Sequence, residues 1–319
     1  MNKFRYIDAQ SVGEALPLLG PEVRPLAGGT DMLPLMKDGI VAPPNLVNLK
    51  SAGELRFLRE EADGLHIGAL ATLDDLDRSP VVRSRFTALA DAAGQAASPQ
   101  LRNMATLGGN LLQQVRCWYY RGDFHCWMKG GDECQARDGE NQYHAIWDQS
   151  PCVAVHPSDP PVALVAFGAQ VRITGPKGER TVPVADFLQP PTDDRRQLHT
   201  LAPDELIVEV VVPTPSGRSV YHKAMDRALF AYALASVAAT ARVDGGQLHD
   251  VRIVVGGVAN VPVRAHAAEA LVEGKTGDAD LLRRAGAAAV EGAHPLRQNA
   301  YKLPLVRNLV TQALGDLLH

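Results

Sequence analysis

Long apolar runs, a surplus of basic residues and a dense cysteine framework are all missing from this chain of 319 residues. No uninterrupted apolar stretch approaches the roughly 18 residues that a membrane-spanning helix needs, so we expect no membrane span. Lysine and arginine number 32 against 36 acidic residues, which leaves a formal charge of −4 and no long basic stripe to attract a nucleic acid. With 46% hydrophobic residues, the composition is that of an ordinary globular protein.

Two common nucleotide-binding signatures are also absent. The chain has no G-x-G-x-x-G between a strand and a helix with an acidic residue about 20 positions further on, which disfavours a Rossmann dinucleotide site. It has no GKS or GKT, which excludes a P-loop. No pattern of a nucleophilic serine with histidine and aspartate is evident either, so we expect no catalytic residue of that kind.

Two paired-glycine turns are present instead. Gly28-Gly29 is followed by Thr30, and Gly108-Gly109 lies between Thr106 and Asn110. Paired glycines let backbone N–H groups approach a bound group without obstruction from a Cβ atom, so such turns can cradle a phosphate. Each is equally compatible with a plain turn between a strand and a helix.

All four cysteines are gathered in one segment, together with all three tryptophans. The cysteines are Cys117, Cys126, Cys134 and Cys152. Their spacings lack the short C-x2–4-C pair that structural zinc sites usually present. An iron–sulfur cluster, a zinc ion, disulfides and free thiols all stay open on spacing alone. His125 and His144 lie in the same segment, and we interpret them as solvated or supporting residues rather than as ligands.

The pattern along the chain predicts a mixture of helices and strands. We expect a strand near Phe4–Ile7, a helix capped by Ser11, and a helix over 81–94. Residues 188–205, rich in proline, aspartate and arginine, predict a linker between domains. Beyond it we expect a strand, then a strand and a long alanine-rich helix within 221–243, and a final amphipathic helix over 302–318.

Four features together resemble the FAD-binding subunit of the xanthine dehydrogenase and carbon monoxide dehydrogenase family. They are the runs AGGTDMLPLMK and QLRNMATLGGNLL, the tripeptide Pro157-Ser158-Asp159, and Lys223. The cysteine segment, with NLLQQVRCWYY and HAIWDQSPCVAVHPSD at its ends, is similar to the insert of the periplasmic aldehyde oxidoreductase branch, which binds an extra [4Fe-4S] cluster. The flavin subunit of 4-hydroxybenzoyl-CoA reductase also carries a cluster insert, but its cysteines are spaced differently.

The resemblance implies a fold and a set of cofactor contacts. The fold is α+β: a two-part PCMH-type FAD-binding domain over 1–187, with a cysteine-rich insert at about 113–153, then the linker 188–205 and a C-terminal α+β domain of the CO dehydrogenase flavoprotein type over 206–319. The cluster ligands are the four cysteines. Tyr232 either approaches the isoalloxazine ring or packs inside a helix core. The flavin contacts carried over are Pro25, Leu26, Ala27, Gly28, Gly29, Thr30, Asp31, Met32, Leu33, Thr106, Gly109, Asn110, Gln113, Asp159 and Lys223.

The same resemblance implies a function. We expect FAD and a [4Fe-4S] cluster in an electron-transfer subunit of a molybdenum hydroxylase complex, whose partners are a molybdenum-cofactor large subunit and a [2Fe-2S] small subunit. The assembly would be a heterotrimer or a dimer of heterotrimers that delivers electrons to an external acceptor. Because MNKFRYIDAQ lacks the apolar core of a secretory signal, we expect a cytoplasmic protein, or a periplasmic one exported with a partner that carries a twin-arginine signal. The alternatives are a 4-hydroxybenzoyl-CoA reductase-like flavin subunit, a self-contained flavin oxidase, and a non-catalytic binding module stapled by zinc or disulfides.

Overall fold

A computed structural model describes residues 2–319. Its strands are β1 Arg5–Asp8, β2 Val23–Leu26, β3 Asn45–Asn48, β4 Leu58–Glu61, β5 Gly64–Gly68, β6 Gln170–Gly175, β7 Gly178–Pro183, β8 Leu206–Pro213, β9 Arg218–Ala224, β10 Ala235–Asp244, β11 Gln247–Gly256, β12 Val263–Arg264 and β13 Lys275–Thr276. The helices are α1 Val12–Ala15, α2 Met32–Lys37, α3 Leu73–Arg78, α4 Pro80–Arg85, α5 Thr87–Gly94, α6 Pro99–Arg102, α7 Leu107–Leu111, α8 Trp118–Arg121, α9 Pro160–Phe167, α10 Val184–Phe187, α11 His266–Val272, α12 Ala279–Ala288 and α13 Lys302–Leu318. Three single 3-10 turns lie at Leu16–Leu18, Gly53–Leu55 and Trp127–Lys129.

The chain begins with a three-stranded parallel sheet in the order β1-β3-β2. Ser11 caps α1 by accepting a hydrogen bond from the Glu14 N–H, as its position in the sequence predicts. Strand β2 ends at Leu26, and the first glycine turn follows it directly and leads into α2. The small sheet therefore sets the position of that turn.

A five-stranded antiparallel sheet in the order β4-β5-β8-β6-β7 forms the main body of the first domain. Its core contains Leu65, Val171 and Val210 from three neighbouring strands, together with residues of α5 and α9. Strand β8 pairs with both β5 and β6. The first domain therefore extends past the predicted boundary at residue 206 and ends after Pro213, because β8 completes its sheet.

The C-terminal region is a second antiparallel sheet, β12-β11-β10-β9, with β13 paired to β11. The predicted alanine-rich helix within 221–243 is wrong, since these residues form β9, a loop and β10. Val237 and Ala239 of β10 pack in the C-terminal core with α13, whereas Ala238 packs in the core of the first domain. Both faces of this strand are buried, and small side chains let packed layers approach each face closely.

The helix expected over 81–94 is split at Phe86, whose backbone (φ −122°, ψ 47°) separates α4 from α5. Phe86 is fully buried and packs against Phe167 of α9, with ring centroids 5.7 Å apart. The final helix lies at Lys302–Leu318, as predicted. The mixture of helices with mostly antiparallel sheets confirms the α+β class. Within residues 2–319, no helix is both long enough and apolar enough to cross a bilayer.

Candidate functional site

A cavity of about 1120 Å³ lies where the two glycine turns meet. Sites for drug-sized ligands typically measure roughly 300–1,000 Å³, so this cavity suits a ligand as large as a dinucleotide. Most of its wall is contributed by five stretches of chain, which fall within 23–41, 96–120, 154–159, 196–207 and 226–234, and further lining residues fall within 49–55, 69–73, 128–129 and 143–144. The cavity therefore joins the three-stranded sheet, the main sheet and the loop that precedes β10.

The two glycines of the first glycine turn, Gly28 and Gly29, have different structural roles at the cavity. A Cβ atom at Gly28 would lie 1.7 Å from the carbonyl oxygen of Met104, so the absence of a side chain lets the first turn touch the short segment that leads into the second turn. Gly29 has φ +73°, a left-handed conformation that L side chains rarely adopt. The predicted contacts from Pro25 to Met32 all line the cavity, whereas Leu33 is not among its lining residues. Leu33 packs instead beneath Gly29.

The second glycine turn is the start of α7. Thr106 caps this helix, and its hydroxyl accepts a hydrogen bond from the Gly109 N–H at 3.2 Å. A Cβ atom at Gly108 would lie 3.0 Å from Ala69, so this glycine fits the helix against the main sheet, while Gly109 lines the cavity. Asn110 and Gln113 line the cavity as predicted. In this turn, Gly108 therefore allows close packing against the main sheet, and Gly109 lines the cavity.

Asp159 lies at the cavity wall and is held by two partners. Lys223 Nζ lies 2.7 Å from Asp159 Oδ2, and the Tyr221 hydroxyl donates to Asp159 Oδ1 at 2.7 Å. Burial raises the pKa of Asp159, while its bonds with Lys223 and Tyr221 lower it. The side chain of Lys223 is fully buried and is not among the residues that line the cavity. The structure therefore places Lys223 behind Asp159, and its direct contact with a flavin stays a prediction.

Tyr232 lines the cavity from the loop between β9 and β10, so its placement in a helix core is wrong. Its hydroxyl lies 3.5 Å from Gln113 Nε2, and the guanidinium of Arg116 lies 5.3 Å from its ring centroid. Arg116 also lies 3.1 Å from Asp31 Oδ1. Sequence reasoning missed Arg116, although its position directly before Cys117 and after the second glycine turn is the signal that could have found it.

The four cysteines converge beside this cavity, and each is a free thiol. Cys126 and Cys134 face each other across an antiparallel bridge, and Cys134 is hydrogen-bonded to Cys152. Cys117 lines the cavity itself. The disulfide interpretation is therefore wrong for this structure, because no pair among the four is covalently joined.

Backbone N–H groups two residues further along the chain approach every one of these sulfurs. Those donors belong to Tyr119, Met128, Ala136 and Ala154, which serve Cys117, Cys126, Cys134 and Cys152 in that order. Such donors stabilise negative charge on sulfur and tune a bound metal centre. The segment is therefore folded around its sulfurs.

The thiols also differ in acidity. Burial raises the pKa of Cys117 to about 12 and raises that of Cys126. The hydrogen bond between Cys134 and Cys152 lowers the pKa of Cys134 to about 6 and raises that of Cys152. The three thiols whose pKa is raised, those of Cys117, Cys126 and Cys152, stay largely protonated unless a cation compensates their charge.

The two histidines of the segment support it in different ways. His144 Nε2 lies 3.1 Å from Cys117 Sγ, and burial lowers the pKa of His144 to about 4, so its ring is neutral. His125 is exposed and pairs with Asp132. Both arrangements agree with supporting or solvated roles.

Residues 188–205 are a structured brace and not a linker between domains. Arg196 donates to the carbonyl oxygens of Trp127 at 2.6 Å and Gly131 at 2.7 Å, and its guanidinium lies 4.6 Å from the Trp127 ring. Leu198 packs in the same small core as Cys126. Proline and aspartate in this stretch reflect its irregular backbone, which fixes the cysteine segment and connects α10 to β8 inside the first domain.

Comparison with known proteins identifies the family of this site. Residues 2–215 match the FAD-binding domain in molybdopterin dehydrogenase, and residues 220–317 match the CO dehydrogenase flavoprotein C-terminal domain. The chain belongs to this FAD-binding family. The gap between the two matched ranges coincides with the end of the main sheet at Pro213 and agrees with the boundary seen in the structure.

Two relatives and one solved structure show how far the likeness extends. The aldehyde oxidoreductase FAD-binding subunit PaoB of Escherichia coli (strain K12) is 38% identical over 302 residues, which cover 93% of this chain and 92% of the relative. The carbon monoxide dehydrogenase medium chain of Hydrogenophaga pseudoflava is 29% identical over 322 residues, which cover 98% of this chain and 96% of the relative. A solved structure of carbon monoxide dehydrogenase from Hydrogenophaga pseudoflava superposes with a TM-score of 0.79 at 30% identity, covering 99% of this chain and 97% of that one. The expected fold is thus confirmed, and the chain is an FAD-binding oxidoreductase subunit.

The residues of this family member fit FAD. The cavity is large enough, Gly28 lets the first glycine turn touch the segment that leads into the second, and Gly109 leaves that part of the wall free of a side chain. The N–H groups of Leu107, Gly108, Gly109 and Asn110 at the start of α7 are bonded within the protein, so this turn contributes space to the cavity rather than N–H donors.

Proposed function

We propose that this chain is the FAD- and [4Fe-4S]-binding electron-transfer subunit of a molybdenum-containing complex of the aldehyde oxidoreductase and xanthine dehydrogenase type. One observation carries the proposal: Cys117, the first of the four converging cysteines, lines the same cavity as the two glycine turns. Two redox groups bound there would be neighbours. The similarity to PaoB, named as an aldehyde oxidoreductase FAD-binding subunit, supports this choice of reaction class.

The chain's own residues would bind and orient FAD. Backbone N–H groups around Gly29 would receive the pyrophosphate, Gly109 would leave room for it, and Tyr232 would cover the ring system from the C-terminal side. The carboxylate of Asp159, held in place by Lys223, would form a rigid part of the cavity wall next to the ligand. When bound, FAD accepts and passes on electrons, and the protein contributes position and electrostatics.

The arrangement of the sulfurs favours a cluster over a single zinc ion. Tetrahedral Zn–S bonds of roughly 2.3 Å place the ligand sulfurs about 3.8 Å apart. Within residues 2–319, no three of these thiols lie within 4.8 Å of one another, which supports the wider cage of a cubane cluster. The N–H donors to all four sulfurs support the same assignment. When bound, such a cluster carries single electrons.

The partners follow from the relatives. The medium-chain name of the carbon monoxide dehydrogenase relative implies larger and smaller companions. For this chain we propose a molybdenum-cofactor large subunit and a [2Fe-2S] small subunit as electron donors, and an external acceptor. Localisation in the cytoplasm, or in the periplasm after export with a twin-arginine partner, belongs to the same proposal.

Metal and flavin analysis of the purified protein tests the proposal. We expect one FAD and four irons per chain, with a broad visible absorption that dithionite bleaches. Cys126→Ser should remove iron and leave FAD bound, whereas the matched exchange Ser84→Ala, on the exposed side of α4, should change neither. A colourless protein would overturn the proposal, and one zinc per chain in place of iron would favour a zinc-stapled segment.

A further inference from the structure

His156 is a buried residue whose ring has one nitrogen without a partner. Its side chain is almost completely buried, and His156 Nε2 makes no hydrogen bond to any residue in the described part of the chain. Buried polar atoms are nearly always paired, so an orphaned one points to a missing partner. His156 lines the cavity proposed to hold FAD.

The other ring nitrogen fixes which atom carries the proton. The backbone N–H of Ser158 donates to His156 Nδ1 at 3.3 Å, so Nδ1 is the acceptor. Burial, together with the nearby ring of His199, lowers the pKa of His156 to about 4, and the ring is therefore neutral at physiological pH. A neutral imidazole whose Nδ1 accepts must carry its proton on Nε2. The unpartnered atom is thus an N–H donor.

The position of this donor is fixed from two sides. The His156 backbone N–H donates to the Ala259 carbonyl at 2.9 Å, which ties this stretch to the C-terminal sheet. Two residues further on, the Ser158 hydroxyl bonds Asn110 of the second glycine turn. His156 is therefore held between the two domains at the wall of the cavity. A donor fixed in advance loses little entropy when it binds a ligand.

We propose that His156 Nε2–H donates a hydrogen bond to an acceptor oxygen or nitrogen of the bound flavin nucleotide. This inference rests on the proposed function, since it requires FAD in the cavity. The nearby His199 also has a buried, unpartnered nitrogen, Nδ1, and lines the same cavity from the brace. A ligand with several hydrogen-bonding groups would satisfy both rings.

Binding of FAD to apo-protein, followed by flavin fluorescence, tests the assignment. Leaving one buried polar group unpaired costs about 1–3 kcal/mol, so His156→Leu should weaken FAD binding roughly 5- to 150-fold. His156→Gln keeps an N–H donor near the same place and should bind within about threefold of the unchanged protein. His249→Leu, in the C-terminal sheet and away from the cavity, is the matched control.

Three results separate the possibilities. If the unchanged protein does not bind FAD, the proposed function fails. If it binds FAD and His156→Leu binds equally well, the hydrogen bond fails while the function stands. If His156→Leu and His156→Gln lose affinity equally with the same loss of apo-protein melting temperature, His156 only packs the wall, and the inference is overturned. Riboflavin and ADP, titrated separately, then show which half of FAD loses affinity and hence which half carries the acceptor.

Discussion

Gly28→Ala offers the sharpest test of how the two glycine turns build the cavity. The new Cβ would lie 1.7 Å from the Met104 carbonyl oxygen and 2.6 Å from its carbon, whereas real contacts of this kind are not shorter than 3.0 Å. The two segments would have to separate by roughly 1.3 Å, and backbone shifts of this size typically cost about 1–3 kcal/mol. Because both partners are backbone atoms, a change of side-chain rotamer cannot relieve the clash.

Two measurements follow the consequence. FAD affinity should fall about tenfold or more, since roughly 1.4 kcal/mol corresponds to a factor of ten in the dissociation constant. The melting temperature of the apo-protein should fall by about 2–12 °C, given roughly 2–4 °C per kcal/mol for a domain of this size. Gly20→Ala is the matched control, because its Cβ would meet no atom within 4 Å. If Gly28→Ala behaves like Gly20→Ala in both assays, the contact between Gly28 and Met104 is not what shapes the site.

Three further predictions concern buried charge. Burial lowers the pKa of Lys302 from 10.5 to about 7. Between these two pH values the unfolded chain binds more protons than the folded chain, so the free energy of unfolding should rise with pH by about 1.4 kcal/mol per pH unit. In urea titrations, Lys302→Met should lack this rise. Lys223→Met leaves the carboxylate of Asp159 buried and unpaired, and should lower the unfolding free energy by about 3–5 kcal/mol; a loss below 1 kcal/mol in urea titration would contradict the buried pair. Asp31→Asn should weaken FAD binding and speed release of iron to a chelator, whereas the exposed Asp186→Asn should change neither; loss of FAD with unchanged iron release would refute the coupling between the two sites.

Local patterns gave reliable guidance where the segment decides its own structure. Ser11 is followed three residues later by Glu14, and the helix cap forms as expected. The apolar period of 302–318 predicted α13 with its bounds. The alanines of 235–241 misled because helix propensity is a weak prior: the strand between β9 and β11 needs small side chains on both faces.

Tertiary pairing decided the features that local patterns missed. No property of 206–213 alone shows that β8 joins the first sheet, because its partners β5 and β6 are distant in the sequence. The irregular composition of 188–205 is typical of linkers, yet Arg196 and Leu198 tie this stretch to the cysteine segment. Most of the residues predicted to contact the flavin line the cavity, since the glycine turns depend on local sequence. Leu33 and Lys223, which were also predicted to contact the flavin, do not line the cavity, because their positions depend on tertiary packing that the local sequence does not show.

Asp31 explains why the flavin cavity and the cysteine segment belong to one site. Its Oδ2 accepts the Gln114 N–H at 2.9 Å, and its Oδ1 lies 2.8 Å from Arg121 and 3.1 Å from Arg116. These three residues flank Cys117 in the sequence, so a carboxylate from the first glycine turn holds the start of the cysteine segment. Both arginines are largely buried, and without Asp31 their charges would lack this compensation. A disturbance at the start of the cysteine segment should therefore reach the first glycine turn through the contacts of Asp31, over a few residues.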